Sequence, residues 1–370
     1  MTCSGDQIDK SFICIGNGSQ SKSFFTFYSQ FNRNWGGEGV LEAVVMLVIA
    51  IMSVTGNLVI CFFILKSKTT RTVTNVLVCN MALADIAYCL SAPFVAYVRV
   101  HGTWTLGDGM CRVLMYWMHV CGVVMIWTLT AISIDRYVNI RVGVTSSRKL
   151  RKVHLVGICS LIWIVSLLFF LPFAIYFEVK EGVTGNQQVI QFCTLDWPWE
   201  RHFPLIYTAL IALFCFFIPV NIITLSYYII FQTFRRSRRA VGSFSRSSKQ
   251  VDSKNAARRS KQQKVVRTLV LIVLVFIAMW LPLFIVIALV EYDVSNHVNG
   301  MHSNALIWAV IFAYGNSLAN AIMYGSVFVQ LWNSVFGCCR RQIIPGENET
   351  VIIDNNARTS VHHVSAVTNF

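Results

Sequence analysis

Charged residues are scarce in this sequence. Only 13% of the 370 residues are Asp, Glu, Lys or Arg, whereas 55% are hydrophobic. An average soluble domain has about 25% charged and about 45–50% apolar residues. A soluble globule of this composition would have too little polar surface, and the same composition excludes an intrinsically disordered chain. The mean hydropathy of +0.58 therefore predicts a polytopic membrane protein.

The residues that several kinds of chemistry require are also missing. The sequence shows no metal-ligand spacing, no glycine-rich phosphate loop and no nucleophile–base pair, so we expect no metal, no cofactor and no enzymatic activity. No internal repeat relates the two halves, which disfavours an inverted-repeat transporter. A transporter or channel would also need coupling charges near the bilayer midplane, where only Asp85 lies.

Long apolar runs, by contrast, are abundant. A bilayer core about 30 Å thick needs roughly 20 apolar residues in a helix. Seven runs meet this length, at about Leu41–Leu65, Val76–Val98, Cys111–Ile134, Val153–Tyr176, Leu205–Phe234, Val266–Val290 and Ala305–Val329. The sequence therefore predicts an all-α bundle of seven transmembrane helices over residues 41–329.

Lys and Arg are distributed unevenly between the two sides of this bundle. The segments on one side hold 24 of the 31 basic residues, and those on the other side hold 7. Basic loops stay in the cytoplasm, so we expect a multi-pass plasma-membrane protein with its N-terminus outside and its C-terminus inside. The formal charge of +14 then faces anionic membrane lipid rather than nucleic acid.

The flanking segments carry candidate modification sites. Residues 1–40 are expected to be extracellular, with a glycosylation sequon at Asn17. Residues 330–339 begin with an amphipathic stretch that predicts a short eighth helix in the interface, and Cys338 and Cys339 follow as palmitoylation candidates. Residues 340–370 form a predicted cytoplasmic tail, whose serines and threonines are candidates for phosphorylation and arrestin binding.

Ionisable residues at membrane depth are costly, so each is a candidate functional residue. Asp85 lies in the middle of the second run, Arg99 lies at its outer end, and His119 lies in the third run. Each also has a purely structural interpretation. Arg99 would extend to the interface, His119 would hydrogen-bond between helices, and Asp85 would be a polar packing residue.

Short motifs in chain order resemble those of the rhodopsin-like G-protein-coupled receptors, over all seven runs. They are Gly56-Asn57, Leu83-Ala84-Asp85, Asp135-Arg136-Tyr137, Trp163, Pro219, Tyr227, Trp280-Leu281-Pro282 and Asn320-Ala321-Ile322-Met323-Tyr324. Ala321 replaces the proline that is usual in the last motif. The resemblance implies a seven-helix receptor that activates heterotrimeric G proteins and recruits arrestin.

The resemblance also implies roles for particular residues. The implied G-protein-coupling residues are Asp135, Arg136, Tyr137, Tyr227 and Tyr324. An implied disulfide joins Cys111 to Cys193. An implied activation or sodium-type site comprises Asp85, Asn316 and Asn320.

Three further stretches resemble the receptors for long-chain free fatty acids, at residues 99–107, 193–198 and 276–282. The implied pocket keeps Arg99, Trp104, Met118, Gly122, Trp197 and Trp280, and departs from the family at Met115, His119, Ile211 and Cys215. An acyl chain needs an apolar lining, which we predict from Met115, Met118, Ile211, Trp280, Leu283 and Ile287. Arg99 is the predicted partner of a ligand carboxylate.

Other ligand classes stay open. Another lipid is one alternative, and a peptide is a second. A peptide receptor would use acidic loop residues, namely Asp196, Glu200, Glu291 and Asp293. Met118 and Tyr314 stand where the amine receptors have an aspartate and the opsins a lysine, which disfavours an amine and retinal.

Overall fold

A computed structural model describes residues 11–15, 22–29, 37–66, 72–141, 148–183, 189–198, 202–243, 249–296 and 302–335. Seven helical segments in these residues are long and apolar enough to cross a membrane. In chain order, spans one to seven are Glu38–Lys66, Val73–His101, Asp108–Arg141, His154–Tyr176, Phe203–Arg236, Val266–Val294 and Ser303–Gly325. They confirm the predicted bundle.

The spans are built from ten α-helices and one π-helical turn in the described part of the chain. The helices are α1 (Glu38–Lys66), α2 (Val73–Cys89), α3 (Ala92–His101), α4 (Asp108–Arg141), α5 (Arg148–Phe169), α6 (Leu171–Tyr176), α7 (His202–Ala212), α8 (Ile218–Ser243), α9 (Lys249–Asn296) and α10 (Ser303–Val335). The π-helical turn, Leu213–Phe217, lies between α7 and α8 in span five.

The chain divides into two compact units, residues 1–323 and residues 324–370. The second unit is described only where it forms the end of α10. Residues 330–335, for which the sequence predicts a separate eighth helix, continue α10 without a break. No glycine or proline lies between residues 326 and 335 to interrupt the helix.

Prolines explain why spans two, four and five each consist of more than one helix. Pro93 and Pro172 lie in the first turn of α3 and α6, respectively. Backbone N–H groups in a first turn have no partner within the helix, so proline is tolerated there. Pro219 follows the π-helical turn, because it has no N–H to donate to the carbonyl of Cys215 one turn earlier. Pro282 lies inside α9, which continues through it.

Two antiparallel hairpins add to the all-α bundle, and the hydropathy pattern does not predict them. Strand β1 (Phe12–Ile15) pairs with β2 (Lys22–Phe25), and β3 (Phe177–Val183) pairs with β4 (Val189–Leu195). The second hairpin forms the loop between spans four and five. The two hairpins pack together through Ile13, Phe24, Ile190 and Phe192.

Two hydrogen bonds join the N-terminal segment to β4, and a disulfide fixes β4 to the bundle. The backbone N–H of Phe27 donates to the carbonyl of Cys193 at 3.1 Å, and Thr194 Oγ1 donates to the carbonyl of Phe25 at 2.8 Å. Cys193 in β4 is joined to Cys111 near the start of α4, with their Cα atoms 5.7 Å apart. The disulfide that the resemblance implies is therefore present, and it supports the N-terminal segment as well as the loop.

Candidate functional site

Two adjoining cavities lie inside the bundle. The upper cavity is lined by Phe27, Tyr28, Tyr88, Met115, Met118, His119, Trp280, Leu283, Ile287, Leu306 and Val310. The lower cavity is lined by His119, Gly122, Val123, Ile126, Phe170, Phe173, Ile211, Cys215, Phe276, Trp280, Leu283, Phe284 and Ile287. Four residues line both cavities, which makes the two spaces parts of one site.

Nine of the twelve predicted ligand-binding residues line these cavities, and three do not. The nine are Met115, Met118, His119, Gly122, Ile211, Cys215, Trp280, Leu283 and Ile287. Arg99, Trp104 and Trp197 lie outside both linings. The apolar part of the predicted pocket is thus brought together, whereas the predicted polar mouth is not.

Arg99 is enclosed in the protein and is already neutralised. Its Nε donates to Oε2 of Glu42 in span one at 2.7 Å, and both side chains are 0% exposed. Nη1 donates to the carbonyl of Tyr28 at 2.9 Å and to Ser303 Oγ at 3.4 Å, and Nη2 donates to Asn304 Oδ1 at 3.0 Å. In this structure the charge partner of Arg99 is therefore Glu42, and its role towards a ligand carboxylate stays a prediction.

Trp104 and Trp197 support the loops instead of the cavities. The backbone N–H of Trp104 donates to the carbonyl of Gln191 at 2.8 Å, and its indole Nε1 donates to the carbonyl of Gly107 at 2.9 Å. Trp197 packs in an aromatic cluster with Phe173, Tyr176, Phe203 and Tyr207. Both tryptophans thus fix the outer loops over the bundle.

The N-terminal segment closes the upper cavity. Tyr28 is 4% exposed, and its hydroxyl donates to Sδ of Met118 at 3.5 Å. Its backbone is left-handed, with φ of 66°, an uncommon conformation for a residue other than glycine. The sequence signal for this role is the aromatic run Phe24-Phe25-Thr26-Phe27-Tyr28 in an otherwise polar segment.

A charged cluster at Asp196 holds this segment in place. Lys22 pairs with Asp196 and donates to the carbonyl of Trp197 at 2.8 Å, while Lys180 contacts Asp196 at 2.7 Å. Burial disfavours the charged carboxylate, but the hydrogen bonds from Lys180 and Lys22 outweigh it and lower the pKa of Asp196. Because the unfolded value is about 3.9, these contacts stabilise the fold fully above that pH and are lost as the pH falls below it.

Trp280 lies at the junction of the two cavities, and Gly122 makes room for it. A Cβ atom at position 122 would lie 2.7 Å from Cη2 and 3.1 Å from Cζ3 of the indole ring. The ring also stacks on Phe276, with centroids 5.7 Å apart. Because Gly122 has no side chain, the indole ring of Trp280 can lie against its backbone.

We expect Gly122→Ala to destabilise the protein, because the added methyl group forces the indole ring to move. Such overpacking costs about 1–3 kcal/mol, which thermal unfolding of the purified protein would measure. Gly157→Ala in α5 is the matched control, since a Cβ there meets no atom within 4 Å. Equal unfolding temperatures for the two variants would contradict the packing argument.

The residues of the implied sodium-type site are all fully buried. Asn320 Nδ2 donates to Oδ2 of Asp85 at 3.3 Å and to Oδ1 of the same carboxylate at 3.5 Å. The side-chain amide of Asn316 has no hydrogen-bond partner among the residues that the structure describes. Ser317 Oγ approaches Sδ of Met125 at 4.0 Å.

At the cytoplasmic end of span three, Arg136 is not paired with its neighbour Asp135. Asp135 Oδ2 accepts a hydrogen bond from Thr74 Oγ1 at 2.7 Å. Arg136 Nε is buried and has no partner within the described ranges. Tyr227 from span five hydrogen-bonds Ser133 Oγ at 3.3 Å, one turn before Arg136.

Beside Tyr227, a wide groove of about 1040 Å³ opens between spans five and six, lined by Tyr227, Phe231, Phe234, Arg235, Val266, Arg267 and Val270. Tyr137 is half-buried at the end of α4. Tyr324 is the first residue of the C-terminal unit.

Some predicted sites fall outside the described residues. They are Asn17, Glu200, Cys338 and Cys339. Within the described ranges, no group of three or more His, Cys, Asp or Glu is placed to hold a metal ion.

Several lining residues were not predicted from the sequence. Phe27 and Tyr28 come from the N-terminal segment, Tyr88 from span two, and Leu306 and Val310 from span seven. Apolar residues are common throughout the spans, so only the packing of the helices distinguishes those that face the cavity from those that face lipid.

Comparison with known proteins places these features in context. The sequence profile of the "7 transmembrane receptor (rhodopsin family)" matches residues 56–324. Free fatty acid receptor 4 of Rattus norvegicus is 32% identical over 307 residues, which cover 81% of this chain and 82% of the relative. Somatostatin receptor type 5 of Bos taurus is 30% identical over 295 residues, covering 78% and 73%. Somatostatin receptor type 2 of Mus musculus is 31% identical over 290 residues, covering 76% and 72%.

Proposed function

The chain belongs to the rhodopsin family of seven-transmembrane receptors, and from this premise we propose that its ligand is a long-chain fatty acid or a closely similar lipid. Receptors of this family are not enzymes, and they couple to heterotrimeric G proteins. The observation that carries the proposal is the lining of the two cavities. None of the described lining residues is Asp, Glu, Lys or Arg, and most are aliphatic or aromatic.

The covering of the site favours a lipid over a peptide. The N-terminal segment lies over the upper cavity, so a peptide that entered from outside would have to displace Tyr28. Asp196, one of the acids that a peptide would use, is already bound by Lys22 and Lys180. The relatives do not decide the question, because some are named for fatty acids and others for somatostatin.

Binding of such a lipid rests on its chain more than on its head group. With Arg99 held by Glu42, the guanidinium is not available to a carboxylate. Each buried methylene contributes about 0.8 kcal/mol, so a long chain in an apolar cavity supplies most of the affinity. We therefore propose that the carboxylate lies towards the outer end, and that esters and free acids bind with similar strength.

The same proposal gives the remaining segments and predicted residues a location or a role. Residues 1–40 and both hairpins are extracellular, and the C-terminus faces the cytoplasm of the plasma membrane. Arg136, Tyr137, Tyr227 and Tyr324 contact the G protein, with Asp135 positioned by Thr74. Asn17 carries a glycan, Cys338 and Cys339 carry palmitate, and phosphorylation of the tail recruits arrestin.

A ligand panel tests this function in cells that report G-protein activation and arrestin recruitment. The panel contains fatty acids of varied length and unsaturation, their methyl esters, and peptides including somatostatin. We expect potency to rise with chain length, and we expect Arg136→Ala to keep binding but lose nucleotide exchange. A response to peptides without a response to any lipid would contradict the proposal.

A further inference from the structure

Two polar groups in the wall of the upper cavity have no hydrogen-bond partner among the residues described. They are the hydroxyl group of Tyr88 and the indole N–H of Trp280. Tyr88 is 1% exposed and Trp280 is 7% exposed, and their ring centroids lie 5.7 Å apart. Buried polar groups in folded proteins are nearly always paired, so two unpaired donors side by side need an explanation.

Neighbouring hydroxyl groups do not supply the missing partner. The ring of Tyr314 packs on Tyr88 with centroids 4.8 Å apart, but its hydroxyl is bonded to Ser91 Oγ at 2.6 Å. The hydroxyl of Tyr28 is directed to Sδ of Met118. No described side chain therefore pairs with the Tyr88 hydroxyl or the Trp280 indole N–H.

His119 adds an acceptor to the same cavity. Its Nδ1 lies 2.7 Å from the carbonyl oxygen of Met115. Because a carbonyl oxygen only accepts, Nδ1 carries the proton, and the other ring nitrogen of the neutral imidazole is an acceptor. The cavity wall thus offers donors at Tyr88 and Trp280 and an acceptor at His119.

The remainder of the wall is apolar, which limits what can satisfy these groups. It is formed largely by Met115, Met118, Leu283, Ile287, Leu306 and Val310. An unsubstituted acyl chain packs against such a wall but leaves both donors unpaired. A site with unpaired buried donors binds a ligand without a hydrogen-bond acceptor more weakly than one that has the acceptor.

We propose that the receptor prefers a fatty acid with an oxygen on its chain, and that Tyr88 and Trp280 donate hydrogen bonds to that oxygen. A hydroxyl group fits best, because it accepts from these two donors and gives its own proton to His119. This inference rests on the proposed function and narrows it to oxygenated long-chain lipids. Tyr88 is then a specificity-determining residue that the sequence motifs do not reveal.

The test compares stearic acid with monohydroxystearic acids whose hydroxyl group is moved along the chain. On the wild-type receptor we expect one position to be at least tenfold more potent than stearic acid in G-protein activation. In Tyr88→Phe, which removes only the hydroxyl group, we expect that ratio to fall below threefold. Tyr97→Phe is the matched control, since Tyr97 is 40% exposed and lies outside the cavity, and it should keep the ratio.

The outcomes separate this inference from the proposed function. Activation by all acids with no preference above threefold, or a full preference in Tyr88→Phe, would overturn the inference and leave the lipid receptor standing. Activation by none of the acids would overturn both. If Tyr88→Phe does not reach the cell surface, methyl-branched stearic acids on the wild type take its place, because a methyl group has a similar size but cannot accept a hydrogen bond. A methyl-branched acid as potent as the best hydroxy acid would then refute the inference.

Discussion

Arg99→Met should destabilise the receptor by about 3–5 kcal/mol, because it leaves the buried carboxylate of Glu42 without its counter-charge. The loss extends beyond the ion pair. Arg99 also donates to Tyr28, Ser303 and Asn304, so the variant should loosen the contacts between the N-terminal segment, span two and span seven. The measurement is surface expression together with thermal unfolding of the purified receptor.

The double variant Arg99→Met with Glu42→Leu is the control for this prediction. Replacing both members of a buried ion pair with apolar residues of similar size is often neutral or stabilising, so we expect the double variant to recover most of the stability. In the single variant, methyl esters and free acids should lose potency equally. A selective loss for free acids, with stability unchanged, would show that Arg99 binds the carboxylate after all.

Cys193→Ser should remove about 2–5 kcal/mol of stability and much of the surface expression. The Cys111–Cys193 bridge closes a segment of 82 residues, and β4 in turn holds the N-terminal segment through Phe27 and Thr194. We therefore expect the variant to lose the cover of the upper cavity as well as the position of the loop. Protease sensitivity of the N-terminal segment, followed beside surface expression, measures both effects.

Cys159→Ser is the matched control for the disulfide, since Cys159 is a free and partly exposed cysteine in α5. It should express as the wild type does. A Cys193→Ser receptor with normal expression and a protected N-terminal segment would show that the hairpin contacts alone hold the outer layer.

The number and positions of the spans follow from the sequence because they depend on hydropathy summed along the chain. Hydropathy over about 20 residues places all seven spans, each beginning within three residues of the start observed in the structure. The family resemblance likewise implies the Cys111–Cys193 disulfide, and together with the predicted apolar lining it names nine of the cavity residues. The first hairpin is not predicted because β1 and β2 are four-residue strands, too short for a periodic signal.

The hydrogen-bond partners of Arg99 could not be predicted from the sequence. Its charge and its place at the end of span two are evident from the sequence, and they suggest a residue that faces a ligand. The structure instead pairs it with Glu42, which lies 57 positions earlier in a different span. Nothing local to either residue specifies that pairing, because it depends on how spans one, two and seven pack.

By itself, the sequence determined the seven membrane-spanning helices, because apolar run length is a property of the chain alone, and its motifs identified the receptor family. Only the tertiary structure decided which residues line the cavities. It enclosed Arg99 with Glu42, placed Tyr28 over the cavity, and left the hydroxyl of Tyr88 unpaired beside Trp280. Burial and hydrogen-bond partnership arise from contacts between residues far apart in the sequence, so no local pattern encodes them.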